Sequence, residues 1–308
     1  MENSHPILDL QHVTKQYEGH LAVDDLTFSV KPGVLFGLLG PNGAGKTSTI
    51  RMITGITLPD EGTISLNGKV VDGRLSQHIG YLPEERGLYK KMSVGDHLMY
   101  LIRLRGWSRK EGKLKVMEWL DRFEIADWWD KKIEELSKGM QQKVQFIATV
   151  MHDPKLMILD EPFSGLDPVN TRLVQKEIIR LSEKGCGVIL STHRMEQVEE
   201  LCDEIVVVNH GAKILEGPIE DIKMKYWNNE YLIDIGQDPS AFLPDKVEVL
   251  KETNKGLWEV RLPEETPAST LLQHIIQQNI EVLHFEKSLP SLNEIFIEVT
   301  GEKNPQIA

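Results

Sequence analysis

"VLFGLLGPNGAGKTSTIRMITG", residues 34–55, joins an apolar strand-like run, a glycine-rich turn and a helical segment that Gly55 closes. Within it, "GPNGAGKT" at 40–47 fits GxxxxGK[ST], and the strand before and helix after are the context in which that pattern carries meaning. Gly40, Pro41, Asn42, Gly43, Ala44 and Gly45 make the turn. Its glycines let backbone N–H groups face inward around phosphates, and the helix N-terminus near Lys46 adds partial positive charge. Lys46 is expected to reach the β- and γ-phosphates of ATP. The Thr47 hydroxyl is expected on the bridging Mg²⁺, with Ser48 beside it in the first helical turn.

Downstream, "LMILDE" at 156–161 is an apolar run ending in two carboxylates. Two acids after a strand often form only a solvated turn; beside a phosphate loop they suit metal and water chemistry. Asp160 is then expected on the metal, and Glu161 is expected to polarise an attacking water in line with the γ-phosphate.

Around these motifs the pattern is α/β. "KLMILD", "GVILST" and "EIVVVN" are continuous apolar runs suited to parallel strands buried on both faces, separated by helical stretches at 168–184 and 194–202. "ILDLQHVTKQY" and "AVDDLTFSV" precede the loop as strands, and "GTISLNG" and "HIGYLPE" follow its helix. Between about 85 and 151 apolar residues recur three and four apart, the signature of a helical insertion. The first domain is therefore expected to span 1–222.

A second, small α+β domain is expected over 229–301, followed by a tail at 302–308. In "LWEVRL", Trp258, Val260 and Leu262 should face one side of a strand and Glu259 and Arg261 the other. Leu271, Leu272, Ile275 and Ile276 mark a helix, and "IEVLHFE" reads as a strand. The last helix should align Leu292, Ile295, Phe296 and Val299 on one face, with Ser291 and Glu294 in capping-box spacing. A small open sheet of β-α-β type with helices on one side is the expected result.

Composition bounds the function. The 308 residues are 40% apolar and 27% charged, ordinary for a globular protein, and a net charge of -12 argues against non-specific nucleic-acid binding. Cys186 and Cys202 lack zinc-site spacing and read as reduced, buried hydrophobes. The opening "MENSHPILDL" has no basic start or apolar stretch of a secretory signal, so a cytosolic location is expected. No apolar stretch approaches the roughly 18 residues of a membrane span, so any membrane passage would belong to a partner.

The order of motifs resembles the nucleotide-binding subunit of an ATP-binding cassette (ABC) transporter over about residues 5–222. The resemblance implies a P-loop NTPase cassette with a mixed β-sheet core, and five further roles. "LSKGM" at 136–140 resembles the LSGGQ signature, placing Ser137 and the Gly139 amide on the γ-phosphate of an opposing subunit. Asp167 closes "SGLD", which matches the D-loop; His193 in "STHRME" holds the switch position; Tyr17 resembles the aromatic that stacks on adenine. Glu84 stands where the family commonly has glutamine, and is expected to act with the metal. Lys138 and Met140 depart from the usual glycine and glutamine.

"PEERGLY" and the carboxyl-terminal unit ending in "SLNEIFIEVTGE" resemble the ABC-2-type exporter branch, of the sodium, antibiotic and daunorubicin-resistance kind. The resemblance implies an ATPase that closes head to tail on two MgATP, partnered by a second nucleotide-binding subunit and a polytopic permease. It would lie peripherally on the inner face of the cell membrane. The basic stretch at 103–115 and Trp128-Trp129 lie in the insertion, the part such transporters apply to a cytoplasmic helix of the membrane subunit; a solvated helix and a packed aromatic pair are the simpler reading. An alternative is a soluble ABC ATPase acting on ribosomes or DNA. One phosphate loop, no long heptad insertion and no zinc-site cysteines weigh against it.

Overall fold

A computed structural model describes residues 5–71, 75–85, 87–253 and 256–301. The tail expected at 302–308 lies outside the described residues. The chain divides into two compact units, Met1–Ile219 and Glu220–Ala308.

The first unit begins with a hairpin, β1 (Leu8–Tyr17) and β2 (His20–Val30), followed by β3 (Leu35–Leu39) and α1 (Lys46–Ile53). β4 (Glu61–Leu66) and β5 (Lys69–Val70) return to the hairpin, completing an antiparallel sheet in the order β2-β1-β4-β5. After β6 (Ile79–Leu82) come α2 (Val94–Leu104), α3 (Arg109–Arg122) and α4 (Lys138–Val150), the helical insertion. β7 (Leu156–Asp160), α5 (Pro168–Glu183), β8 (Gly187–Thr192), α6 (Met195–Leu201), β9 (Glu204–Asn209) and β10 (Ala212–Pro218) restore the α/β alternation.

The second sheet runs β10-β9-β3-β8-β7-β6, parallel throughout except for antiparallel β10 at its edge. Every residue of β3, β7 and β8 is buried, as continuous apolar runs require. One core joins the two sheets: Leu8, Leu10, Leu26 and Phe28 pack with Phe36, Leu38, Ile50, Ile158, Ile189 and Val206. Phe28 stacks on Phe36 at 5.3 Å. This strand order matters for chemistry, because it brings the carboxyl ends of β3, β8, β7 and β6 side by side.

In the insertion, Ser93 and Ser108 cap α2 and α3 by accepting from the N–H groups of Asp96 and Glu111. Gly95 is needed for packing: a Cβ there would lie 2.4 Å from the Trp129 indole. The basic stretch is partly neutralised within the chain, since Lys113 lies 5.4 Å over the Trp129 ring and Lys115 pairs with Asp153 at 2.8 Å. Cys186 is buried and Cys202 half-buried, and burial pushes both thiols up, Cys186 to about 12.

The second unit holds α7 (Ile219–Lys225), β11 (Glu230–Asp234), β12 (Glu248–Glu252), β13 (Trp258–Arg261), α8 (Ala268–Gln277), β14 (His284–Lys287) and α9 (Leu292–Thr300). Its sheet, β12-β13-β11-β14, is antiparallel at every pairing; β13 and β14 both pair with β11, so they run parallel to each other and α8 joins them, the expected β-α-β element with β11 inserted between its strands. Tyr231, Ile233, Val260, Leu262, Leu271 and Ile275 form its core.

Three side chains depart in exposure from a simple polar-apolar pattern. Ile276 is 61% exposed, about 100° around α8 from buried Ile275, and Val299 is 37% exposed in the last turn of α9, although it shares a face with Ile295 and Phe296. Glu259, on the face opposite Val260, is 9% exposed; Ser288 donates to it and Lys251 pairs with it at 3.0 Å. "IEVLHFE" pairs as a strand only from His284. The Ser291–Glu294 capping box is present, with Ser291 N donating to Glu294 Oε2 at 2.8 Å.

Candidate functional site

β3 ends at Leu39, and the turn at 40–45 leads directly into α1. Gly40 has φ 150° and a Cβ there would lie 2.1 Å from Val208 O; at Gly45, φ 105°, it would lie 2.4 Å from Ala22 O. The turn is therefore wedged between β9 and β2, and only glycine fits both positions. Ala44 is buried, Pro41 half-buried, and Asn42 and Gly43 are exposed. Lys46 Nζ donates to Gly40 O at 2.6 Å and Pro41 O at 3.0 Å, lying along the loop it opens from. Burial lowers its pKa, opposed by the charges of Asp160, Glu161 and Glu84, so three carboxylates share its field. Thr47 is exposed and Ser48 half-buried in the first turn of α1.

Two strands over, Asp160 is the last residue of β7 and sits opposite Ser191 of β8. Ser191 Oγ donates to its Oδ1 at 2.7 Å. Burial raises the Asp160 pKa; the Ser191 hydrogen bond pulls the other way, Glu84 and Glu161 add to the rise, and Lys46 offsets it. Glu161 follows with φ 50°, a left-handed backbone uncommon for a side chain of this kind. That conformation turns its carboxylate onto the end of β8, where it accepts from Thr192 Oγ1 at 3.1 Å and His193 N at 3.0 Å. His193 Nδ1 lies 2.6 Å from Glu161 Oε1, so the tautomer with Nδ1–H donates to it.

Glu84 lies two residues beyond β6, exposed, and its charge bears on Asp160, Lys46 and Tyr81. Among the described residues no group of three His, Cys, Asp or Glu side chains could hold a metal ion by itself. The donors at these strand ends, the Thr47 hydroxyl with the Asp160 and Glu84 carboxylates, are hard oxygens. They fit Mg²⁺, which takes one or two carboxylates and completes its shell with phosphates and water.

Tyr17 stands at the end of the β1–β2 hairpin, half-buried, with Lys15 Nζ 5.5 Å from its ring centre. The hairpin is tied to the phosphate loop through Ala22, whose carbonyl is the atom that crowds Gly45.

Ser137 caps α4, accepting from Met140 N at 3.3 Å. Gly139 lies in the first turn beside Gly165 O, 3.3 Å from where its Cβ would be. Asp167 caps α5 through Asn170 N at 2.9 Å and Val169 N at 3.0 Å, and the Asn170 hydrogen bonds hold its carboxyl below the usual range. Lys138 is exposed and Met140 half-buried. Among the described residues no hydrogen bond or ion pair joins Ser137, Gly139 or Asp167 to residues 40–48 of the same chain.

Four polar residues at the site escaped the reading of the sequence. Ser191 and Thr192 were visible as two hydroxyls closing an apolar strand, a place where buried hydroxyls need partners. Gln142 and Gln145 look like ordinary helix formers, yet each is buried and donates to a backbone carbonyl, Pro162 O at 3.0 Å and Pro83 O at 3.1 Å.

A family profile described as "ABC transporter" matches residues 23–164, and one described as "ATP-binding protein DrrA1-3-like, C-terminal domain" matches residues 217–300. A third, "AAA domain, putative AbiEii toxin, Type IV TA system", matches residues 132–197 and overlaps the first over 132–164. The chain is 44% identical to "Uncharacterized ABC transporter ATP-binding protein YhaQ" of Bacillus subtilis (strain 168), over 96% of this chain and 99% of that protein. It is 39% identical to "Nod factor export ATP-binding protein I" of Burkholderia pseudomallei (strain K96243), over 68% of this chain and 70% of that protein. A solved structure, "Structure of ATP binding subunit of ABC transporter", superposes with a TM-score of 0.68 at 32% identity, covering 71% of this chain and 93% of that one.

Proposed function

Because this chain belongs to the ATP-binding proteins of ABC transporters, we propose that it is the motor of an exporter, paired head to tail with a second nucleotide-binding subunit. Members of the family are ATPases and work with membrane permeases. No helix among the described residues is long and apolar enough to cross a membrane, so we place the chain peripherally on the cytoplasmic face, against a polytopic permease. Residues 1–222 are the nucleotide-binding domain in this reading, and 229–301 an accessory domain. Export is favoured by the carboxyl-terminal match to the DrrA-like domain and the likeness to a Nod factor export protein.

The observation that supports the paired arrangement is that one chain holds two separate loop-to-helix junctions, at α1 and at α4. The loop at 40–47 lies with Asp160, Glu161 and His193 at the strand ends, while Ser137 and Gly139 open α4 with no bond to that loop. A helix N-terminus with free amides is a phosphate site. Set against a second subunit's nucleotide, it supplies contacts that exist only in the closed pair, so ATP binding favours closure and hydrolysis reopens it.

In the closed pair, Lys46 leaves the carbonyls of Gly40 and Pro41 for the β- and γ-phosphates, and Tyr17 stacks on adenine. Thr47, Asp160 and Glu84 would hold Mg²⁺, which when bound would supply charge neutralisation at the phosphates. Glu161 takes the proton of the attacking water. His193, bonded to Glu161 through Nδ1, keeps that carboxylate oriented. Asp167 holds the turn between the two subunits' sites. Affinity isolation of Glu161→Gln with MgATP from its own cells tests the reading. A stoichiometric polytopic membrane protein is expected; ribosomes or nucleic acid in its place would refute it.

A further inference from the structure

Helix α4 does more than begin at Ser137. Residues 142, 145 and 149 lie on one face, spaced three and four apart, and that face runs along the two loops that carry the carboxylates. Gln142 Nε2 donates to Pro162 O at 3.0 Å, immediately after Glu161. One turn on, Gln145 Nε2 donates to Pro83 O at 3.1 Å, immediately before Glu84. Thr149 Oγ1 reaches Tyr81 O at 3.4 Å.

Both glutamines are 5% exposed. Each glutamine holds the carbonyl of a proline, a residue whose own nitrogen carries no N–H. The helix also seats tightly on the sheet: a Cβ on Gly80 of β6 would lie 2.4 Å from Thr149 O. Packing this close disfavours movement of the helix independently of the loops it is bonded to.

We propose that α4 is a strut in which Gln142 and Gln145 are positioning residues, so that a shift of its Ser137–Gly139 end reaches Glu161 and Glu84 together. The inference rests on the roles given above to those two carboxylates. It adds a path by which engagement of the other subunit's nucleotide is registered in this chain's own site.

The test uses the full chain with Gln142→Leu and Gln145→Leu, which keep size and remove the donor; Gln→Met at each position serves if either fails to fold. Amide exchange in the nucleotide-free protein should quicken at residues 82–88 only in Gln145→Leu, and at 161–166 only in Gln142→Leu. Mn²⁺ affinity in the ATP complex, read by electron paramagnetic resonance, should weaken about tenfold in Gln145→Leu and stay unchanged in Gln142→Leu, which instead loses turnover about tenfold. Combining Gln145→Leu with Glu84→Gln should add nothing to the loss of Mn²⁺ affinity in Glu84→Gln alone. Identical exchange and metal profiles for the two variants would overturn the strut, as would effects that multiply. If Glu84→Gln weakens Mn²⁺ and Gln145→Leu does not, the strut fails while the metal role stands. If Glu84→Gln leaves Mn²⁺ binding intact, the metal role fails, and the separation of the two exchange patterns alone decides the strut.

Discussion

Glu161→Gln isolates the proton-accepting oxygen from everything else that residue does. The native carboxylate accepts from His193 N, His193 Nδ1 and Thr192 Oγ1. A glutamine carbonyl oxygen can replace Oε1 for both His193 donors, and the Thr192 hydroxyl can turn to accept from the new amide, so no buried polar group is stranded. The left-handed backbone at 161 is equally open to glutamine. What disappears is basicity. General-base assistance is worth roughly 10²- to 10⁴-fold, so the barrier should rise by about 3–5 kcal/mol. ATP affinity should change by less than about threefold, since Lys46 and the loop at 40–45 are untouched. Single-turnover phosphate release and equilibrium nucleotide binding, measured on the same preparation, separate the two quantities. Turnover within about tenfold of the parent would remove Glu161 as the base, and a parallel loss of ATP binding would show that its role is structural.

Asp160→Asn should stabilise the nucleotide-free protein at pH 8. Because burial raises the Asp160 pKa above its ordinary 3.8, the native state holds that proton more tightly than the unfolded chain, so this stabilisation is complete below about pH 4 and is lost as pH rises through the folded value. Asparagine, still able to accept from Ser191, should therefore raise Tm at pH 8, and the gain should vanish near pH 4; calorimetry at both values reads the sign. Gly40→Ala should lower stability by about 2 kcal/mol, a Tm fall of roughly 4–8 °C, and weaken ATP binding, because its Cβ would lie 2.1 Å from Val208 O. An alanine variant with native Tm and native ATP affinity would contradict the wedged turn.

What the sequence made legible was local. The turn at 40–47 announces itself because glycine spacing, the following Lys46 and the flanking apolar run are neighbours in the chain. β3, β7 and β8 are equally readable from unbroken apolar runs. The Glu161–His193 contact spans 32 positions and depends on β7 and β8 being adjacent, which no local pattern specifies. Gln145 gives no sign of its role either, since its partner Pro83 is 62 positions away. The second unit shows the limit of periodicity. Alternation correctly assigned Val260 and Leu262 to the core, but Glu259 on the other face is covered because Ser288 and Lys251 meet it there. The place of β11 between β13 and β14 likewise depends on contacts between strands far apart in the chain.

Mixing two inactive chains tests most directly whether Ser137 and Gly139 serve another subunit's nucleotide. Lys46→Ala disables the phosphate loop, and Gly139→Asp places a carboxylate where the helix N-terminus would receive the γ-phosphate. If the two elements belong to different subunits' sites, a mixed pair has one doubly damaged site and one intact site. Equal mixing should then recover about a quarter of the parent's single-turnover hydrolysis, half the pairs being mixed and each of those having one working site. Hydrolysis no greater than the sum of the two separate chains would contradict the shared site.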